Sequence, residues 1–116
     1  METIRIPEGA QVKLQVAISS DAVVATNVSL NDIIVKKSAQ YKFNMELGVA
    51  NELDNNGLSI VSSFFVSTGN INQIINATQA IFTVLFNDES HTIAVQKQKM
   101  SNTFFIVYAY VELSKS

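Results

Sequence analysis

At 116 residues with 47% hydrophobic content, the chain is long enough for one buried core and too apolar to stay disordered. It has no cysteine, which excludes disulfides, thiolate catalysis and zinc–thiolate sites. The net charge of -2 and the single arginine, Arg5, argue against a nucleic-acid partner, because phosphates are met by clustered Lys and Arg.

Charged residues make up only 16% of the chain, against about 25% in an average domain. Ser, Thr, Asn and Gln fill the polar positions instead. Interface centres are depleted in Lys, Glu and Asp, so low charge also fits a subunit whose surface is partly covered in its working state.

In chain order, Met1 to Ile6 lacks the basic start and apolar run of a secretion signal. Cytoplasmic synthesis is expected, with the destination, particle-associated or other, left open. Pro7 and Gly9 set this stretch off as a short arm or edge strand. Val12, Leu14, Val16 and Ile18 alternate with Lys13, Gln15, Ala17 and Ser19, the period of a half-buried strand. Two short strands are predicted near 22–30 and 33–37, broken at Asn31-Asp32. Tyr41, Phe43, Met45, Leu47 and Val49 share one face of a further strand. It ends at Asn51-Glu52-Leu53-Asp54-Asn55-Asn56-Gly57, whose Asn and Gly tolerate positive φ. Leu58, Ile60, Phe64 and Val66 follow, and 41–50 with 57–67 is predicted to be a hairpin.

Residues 67–79 carry Ile71, Ile74, Ile75 and Thr78 at helical spacing behind a capping segment, Ser67-Thr68-Gly69-Asn70. One or two helical turns, or a structured loop, are expected there. Ile81–Phe86 and Thr92–Lys97 read as a second hairpin around Asn87-Asp88-Glu89-Ser90. The last run, Thr103 to Leu113, is apolar on both parities. Such a strand is covered on both faces, by its own domain or by another chain. The whole predicts one all-β domain over residues 1–116: an antiparallel sandwich or barrel-like domain of six to eight strands with a short helical segment near 70–79. The alternative is an α+β domain, an antiparallel sheet with one packed helix.

The residues offer little chemistry. The glycines, at 9, 48, 57 and 69, are too scattered to cradle a phosphate. The only histidine, His91, lies in Asp88-Glu89-Ser90-His91, where neighbours on a turn cannot converge as a triad must. Asp54-Asn55-Asn56-Gly57 lacks the closing glutamate of a calcium loop. Most carboxylates fall at turns, where solvation accounts for them. Lys36-Lys37 and Lys97 with Lys99 read as edge-strand charges that block unwanted pairing. No catalytic residue, metal or cofactor is expected.

The aromatics carry more. Phe64-Phe65 and Phe104-Phe105 place one ring on each sheet face. One ring of each pair fills the core and the other needs cover. A non-enzymatic structural subunit that forms homo-oligomers is therefore expected, with a phage or other particle component as a setting. Its candidate interface is the exposed face of 103–113 with Phe65, by residue Phe65, Phe105, Val107, Tyr108 and Tyr110, or an open edge strand near 11–18. The alternative is a small binding module or chaperone-like β domain that recognises a peptide or glycan through its loops. Its contacts would be Asn55, Asn56, Asn70 and Asn72. The partners expected are copies of the chain or other protein subunits. Membrane insertion is not expected, because the longest apolar stretch, Phe104 to Val111, is too short to span a bilayer.

Overall fold

The computed structural model describes residues 2–116 and is an all-β sandwich with two short helices. In chain order the elements are β1 (Glu2–Ile6), β2 (Gln11–Ser19), β3 (Val23–Leu30), β4 (Ile33–Ser38), β5 (Lys42–Val49), α1 (Ala50–Leu53), β6 (Asn56–Phe65), α2 (Ile71–Ala77), β7 (Gln79–Phe86), β8 (Glu89–Ile93), β9 (Gln96–Lys99) and β10 (Phe104–Lys115). The larger sheet has six strands in the order β1-β10-β6-β3-β4, with β9 also on β10. The smaller has four, ordered β5-β2-β7-β8. All ladders are antiparallel except β1, which runs parallel to β10.

Strand alternation builds the core directly. Val12, Leu14, Val16 and Ile18 of β2 are buried, as are Phe82, Val84 and Phe86 of β7. They face Val24 and Val28 of β3, Leu58, Ile60 and Phe64 of β6, and the odd-numbered residues Phe105 to Leu113 of β10. Phe64 and Phe105 are register partners whose rings stack at 4.7 Å and 4°. Among these apolar side chains, Thr26 and Ser62 satisfy each other through a hydroxyl–hydroxyl bond of 2.8 Å. An unpaired hydroxyl there would be costly.

Two turns are of one kind. Asn31-Asp32 (φ 50° and 67°) joins β3 to β4, and Asn87-Asp88 (φ 50° and 60°) joins β7 to β8. Positive φ at both central residues matches strand twist, and Asn and Asp bear it at low cost. The predicted break at 31–32 holds, while the turn predicted over 87–90 tightens to Asn87-Asp88, with Glu89 and Ser90 already in β8.

The fold departs from the sequence reading in four places. Residues 41–50 and 57–67 do not form a hairpin. β5 pairs with β2 in the small sheet and β6 with β3 and β10 in the large one. Between them α1 buries Ala50 and Leu53 and carries the chain from one layer to the other. The predicted strand 92–97 is split: β8 ends at Ile93 in the small sheet, and β9 pairs with β10 in the large one. Residues 11–18 are no open edge, since β2 lies between β5 and β7. Ten strands replace the expected six to eight, in part because the 92–97 run is divided between layers.

α2 is the helical segment expected near 70–79. The Asn70 side chain caps it, Oδ1 accepting from the N–H groups of Asn72 and Gln73. At its other end Lys97 Nζ donates to the carbonyls of Ile75 (2.8 Å) and Thr78 (2.6 Å). No helix among the described residues is long and apolar enough to cross a membrane.

Candidate functional site

The two sheets present different faces to solvent. On the small sheet the outward rows run Lys13 beside Glu46, Gln15 beside Asn44 and Thr83, and Thr83 beside Thr92. These are polar cross-strand neighbours, and Lys13 meets Glu46 at 3.7 Å. Ala17, Ile81 and the half-buried Leu85, which lies beside Lys13, are the apolar exceptions.

On the large sheet three outward rows are mostly apolar. Val23, Phe65 and Phe104 form one row across β3, β6 and β10. Ala25, Ser63 and Ile106 form the next, and Asn27, Val61 and Tyr108 the third. Phe65 and Phe104 stack at 5.0 Å. Val23 remains 64% exposed, Phe65 48% and Tyr110 46%, while Phe104, Ile106 and Tyr108 are half-buried. No charged side chain occurs in these three rows on β3, β6 or β10. Polar groups rim them: Gln98 and Gln96 of β9 stand beside Ile106 and Tyr108, and Lys37 of β4 beside Asn27. The Tyr108 hydroxyl donates to Gln96 Oε1 at 2.9 Å.

This arrangement divides the predicted interface residues. Phe65, Tyr108 and Tyr110 lie on the outer face. Phe105 and Val107 do not: both are fully buried between the sheets. The sequence shows β10 as apolar on both parities but carries no mark of which parity faces the second layer. Val23 and Val61 are face residues outside the sequence expectation, whereas Phe104 and Ile106 lie on the expected exposed face of 103–113. The signal for Val23 and Val61 was present, because each stands one residue from a core position on the same strand.

Of the predicted loop contacts, the side chains of Asn56 and Asn70 are engaged inside the fold, while those of Asn55 and Asn72 are exposed. Asn55 (φ 64°) donates its N–H to the Leu113 carbonyl at 2.9 Å. Asn56 accepts from Asn31 Nδ2 and donates to the Glu52 carbonyl at 2.9 Å. Gly57 N–H bonds to Asn31 Oδ1 at 2.7 Å, and Lys115 N–H to Asp54 Oδ1 at 2.8 Å. Residues 54–57 are thus a corner that ties α1, the β3–β4 turn and β10 together. Asn70 serves as the helix cap, and Asn72 is left exposed on α2.

Little else converges. His91 stacks on Phe86 at 5.1 Å, with its Nε2 3.8 Å from Glu89. Beside it lies an open groove of about 430 Å³ lined by Gln11, Lys13 and residues 85–90. The groove brings together no nucleophile with a base in hydrogen-bond reach, the geometry that nucleophilic catalysis requires. Comparison with known protein families and with curated proteins finds no match to this chain.

Proposed function

We propose that the chain is a non-enzymatic assembly subunit that associates with copies of itself through the outer face of its six-stranded sheet. The observation that carries this reading is the asymmetry between the two outer faces. Apolar surface scattered singly is ordinary, whereas a contiguous apolar patch with a polar rim is the anatomy of an interface. Val23, Phe65, Phe104 and Ile106 form such a patch, with Gln96, Gln98 and Lys37 at its border. The small sheet shows how this chain builds a face meant for water. Low total charge supports the same reading, as does the internal use of the Asn56 and Asn70 side chains. A repeating structure, such as a particle or its fittings, is the setting that suits a small self-associating sandwich.

The test is native mass in dilute buffer across the micromolar range, for the wild type and for Phe65→Glu. Phe65 is outside the core, so the charged variant keeps its circular dichroism spectrum. The wild type is expected to be oligomeric, and Phe65→Glu to lower the mass. A wild-type chain that is monomeric throughout the range refutes the reading.

A further inference from the structure

Asn56-Gly57 is the one Asn-Gly pair in the sequence. Asparagine is a thermolabile residue, and a following glycine, with no Cβ in the way, makes it more so. The glycine nitrogen attacks the asparagine Cγ. An N–Cγ bond forms, the Cγ–Nδ2 bond breaks, and the carboxamide nitrogen leaves as ammonia, taking up the glycine amide proton. Water then opens the cyclic imide at either carbonyl, giving aspartate or its backbone-lengthened isomer, isoaspartate. The attack needs a glycine nitrogen released from its hydrogen-bond acceptor and a carboxamide free to bring Cγ onto it.

The fold withholds both. Gly57 N–H donates to Asn31 Oδ1 at 2.7 Å, and the Asn31 N–H donates back to the Gly57 carbonyl at 2.9 Å. Asn31 Nδ2 donates to Asn56 Oδ1, while Asn56 Nδ2 donates to the Glu52 carbonyl at 2.9 Å. One side chain, that of Asn31, therefore holds the attacking nitrogen and one end of the group it would attack. Gly57 is itself buried. The reactive pair also has reasons to stay. A side chain at 57 would run into the Tyr110 ring, and Asn56 is the link between α1 and the β3–β4 turn.

We propose that Asn56-Gly57 is a latent deamidation site, held inert by Asn31 and open to reaction when the corner at 54–57 opens. The change runs one way. A carboxylate at 56 has no hydrogen to give the Glu52 carbonyl and sets negative charge beside that oxygen. Isoaspartate adds a backbone methylene at the start of β6, where Asn56 is in register with Leu113. Either product keeps the corner from closing as before. Opening of this one corner thus leaves a permanent mark in the chain, whether or not copies assemble.

The test is the rate of deamidation at Asn56 in warm, mildly alkaline buffer, read by peptide mapping for the mass gain and for isoaspartate. The proteins compared are the wild type, folded and in denaturant, with folded Asn31→Gly and Asn70→Ala. Glycine keeps the positive φ of the turn and removes the guarding side chain. Asn70→Ala loosens α2 instead of the corner. The folded wild type is expected to react more slowly than the denatured chain by on the order of tenfold or more, since two hydrogen bonds must open before attack. Asn31→Gly, with its circular dichroism spectrum retained, should approach the denatured rate, and Asn70→Ala should keep the wild-type rate. A folded wild type that reacts as fast as the denatured chain overturns the proposal. So does an Asn31→Gly rate equal to wild type, or equal acceleration by Asn70→Ala. Should Asn31→Gly fail to fold, Asn31→Asp decides. It keeps an acceptor for Gly57 and loses the bond to Asn56, so it is expected to react faster than wild type, and a wild-type rate overturns the role of Asn31.

Discussion

Neighbouring aromatics on β6 and β10 are assigned opposite tasks, and Phe105→Ala against Phe65→Ala tests that assignment. Phe105 is fully buried, stacked on Phe64 between the sheets. Truncating a core phenylalanine costs about 3–5 kcal/mol in lost transfer energy and residual cavity. At roughly 0.05–0.15 kcal/mol per residue, a chain of this length has about 6–17 kcal/mol in total, so the variant should fold with much reduced stability. At about 3–5 °C per kcal/mol for a domain of this size, its Tm is expected to fall by about 10–20 °C. Phe65 keeps 48% of its surface exposed, and its stack with Phe104 is on the outside. Its truncation should cost below about 1 kcal/mol when measured on dilute protein. Chemical denaturation followed by far-UV circular dichroism, at two protein concentrations, separates the intrinsic cost from any contribution of assembly. Equal costs for the two variants, or a Phe105→Ala cost below that of Phe65→Ala, would refute the inward and outward assignment of β10.

Three further outcomes follow from single contacts. Thr26→Val leaves the buried Ser62 hydroxyl unpaired and should cost about 1–3 kcal/mol, whereas Thr26→Val with Ser62→Ala should be closer to neutral, a coupling read from a double-mutant cycle. Asn70→Ala removes the α2 cap and should cost about 0.5–2 kcal/mol, with faster amide exchange confined to 71–77. A Cβ at Gly57 would approach the Tyr110 ring, with Cζ at 2.8 Å. Gly57→Ala is therefore expected to destabilise by about 1–3 kcal/mol, and Tyr110→Ala in the same chain should recover part of the loss.

The strands themselves were legible because period-two alternation records a half-buried ladder residue by residue. Val12 to Ile18 and the break at Asn31-Asp32 are read from local chemistry alone. Sheet membership is not local. Asn55-Asn56-Gly57 has the composition of a tight hairpin turn, yet Ala50 and Leu53 just before it bury themselves in α1 and send the chain to the other layer. Nothing between Ile93 and Gln96 announces that the strand changes sheets there. The same limit governs the candidate site. The sequence shows that β10 is apolar on both parities, but only the second layer decides that Phe105 and Val107 go inward while Phe104, Ile106 and Tyr108 stay out. The asparagines misled for a related reason: a side chain suited to recognise a ligand is equally suited to brace a corner.

The position of β10 has a consequence for how the chain is made. The small sheet is complete once residue 93 has been synthesised, since β2, β5, β7 and β8 all precede it. The large sheet lacks its middle until β10 is made: β1, β6 and β9 each pair with β10. A nascent chain therefore carries the β10-facing flank of β6 unpaired from the synthesis of β6 until residues 104–115 follow. That flank is closed only when they leave the ribosome. Closure by so distant a segment is slow. Any ribosomal pause or truncation before residue 104 would leave half a sandwich in need of a chaperone.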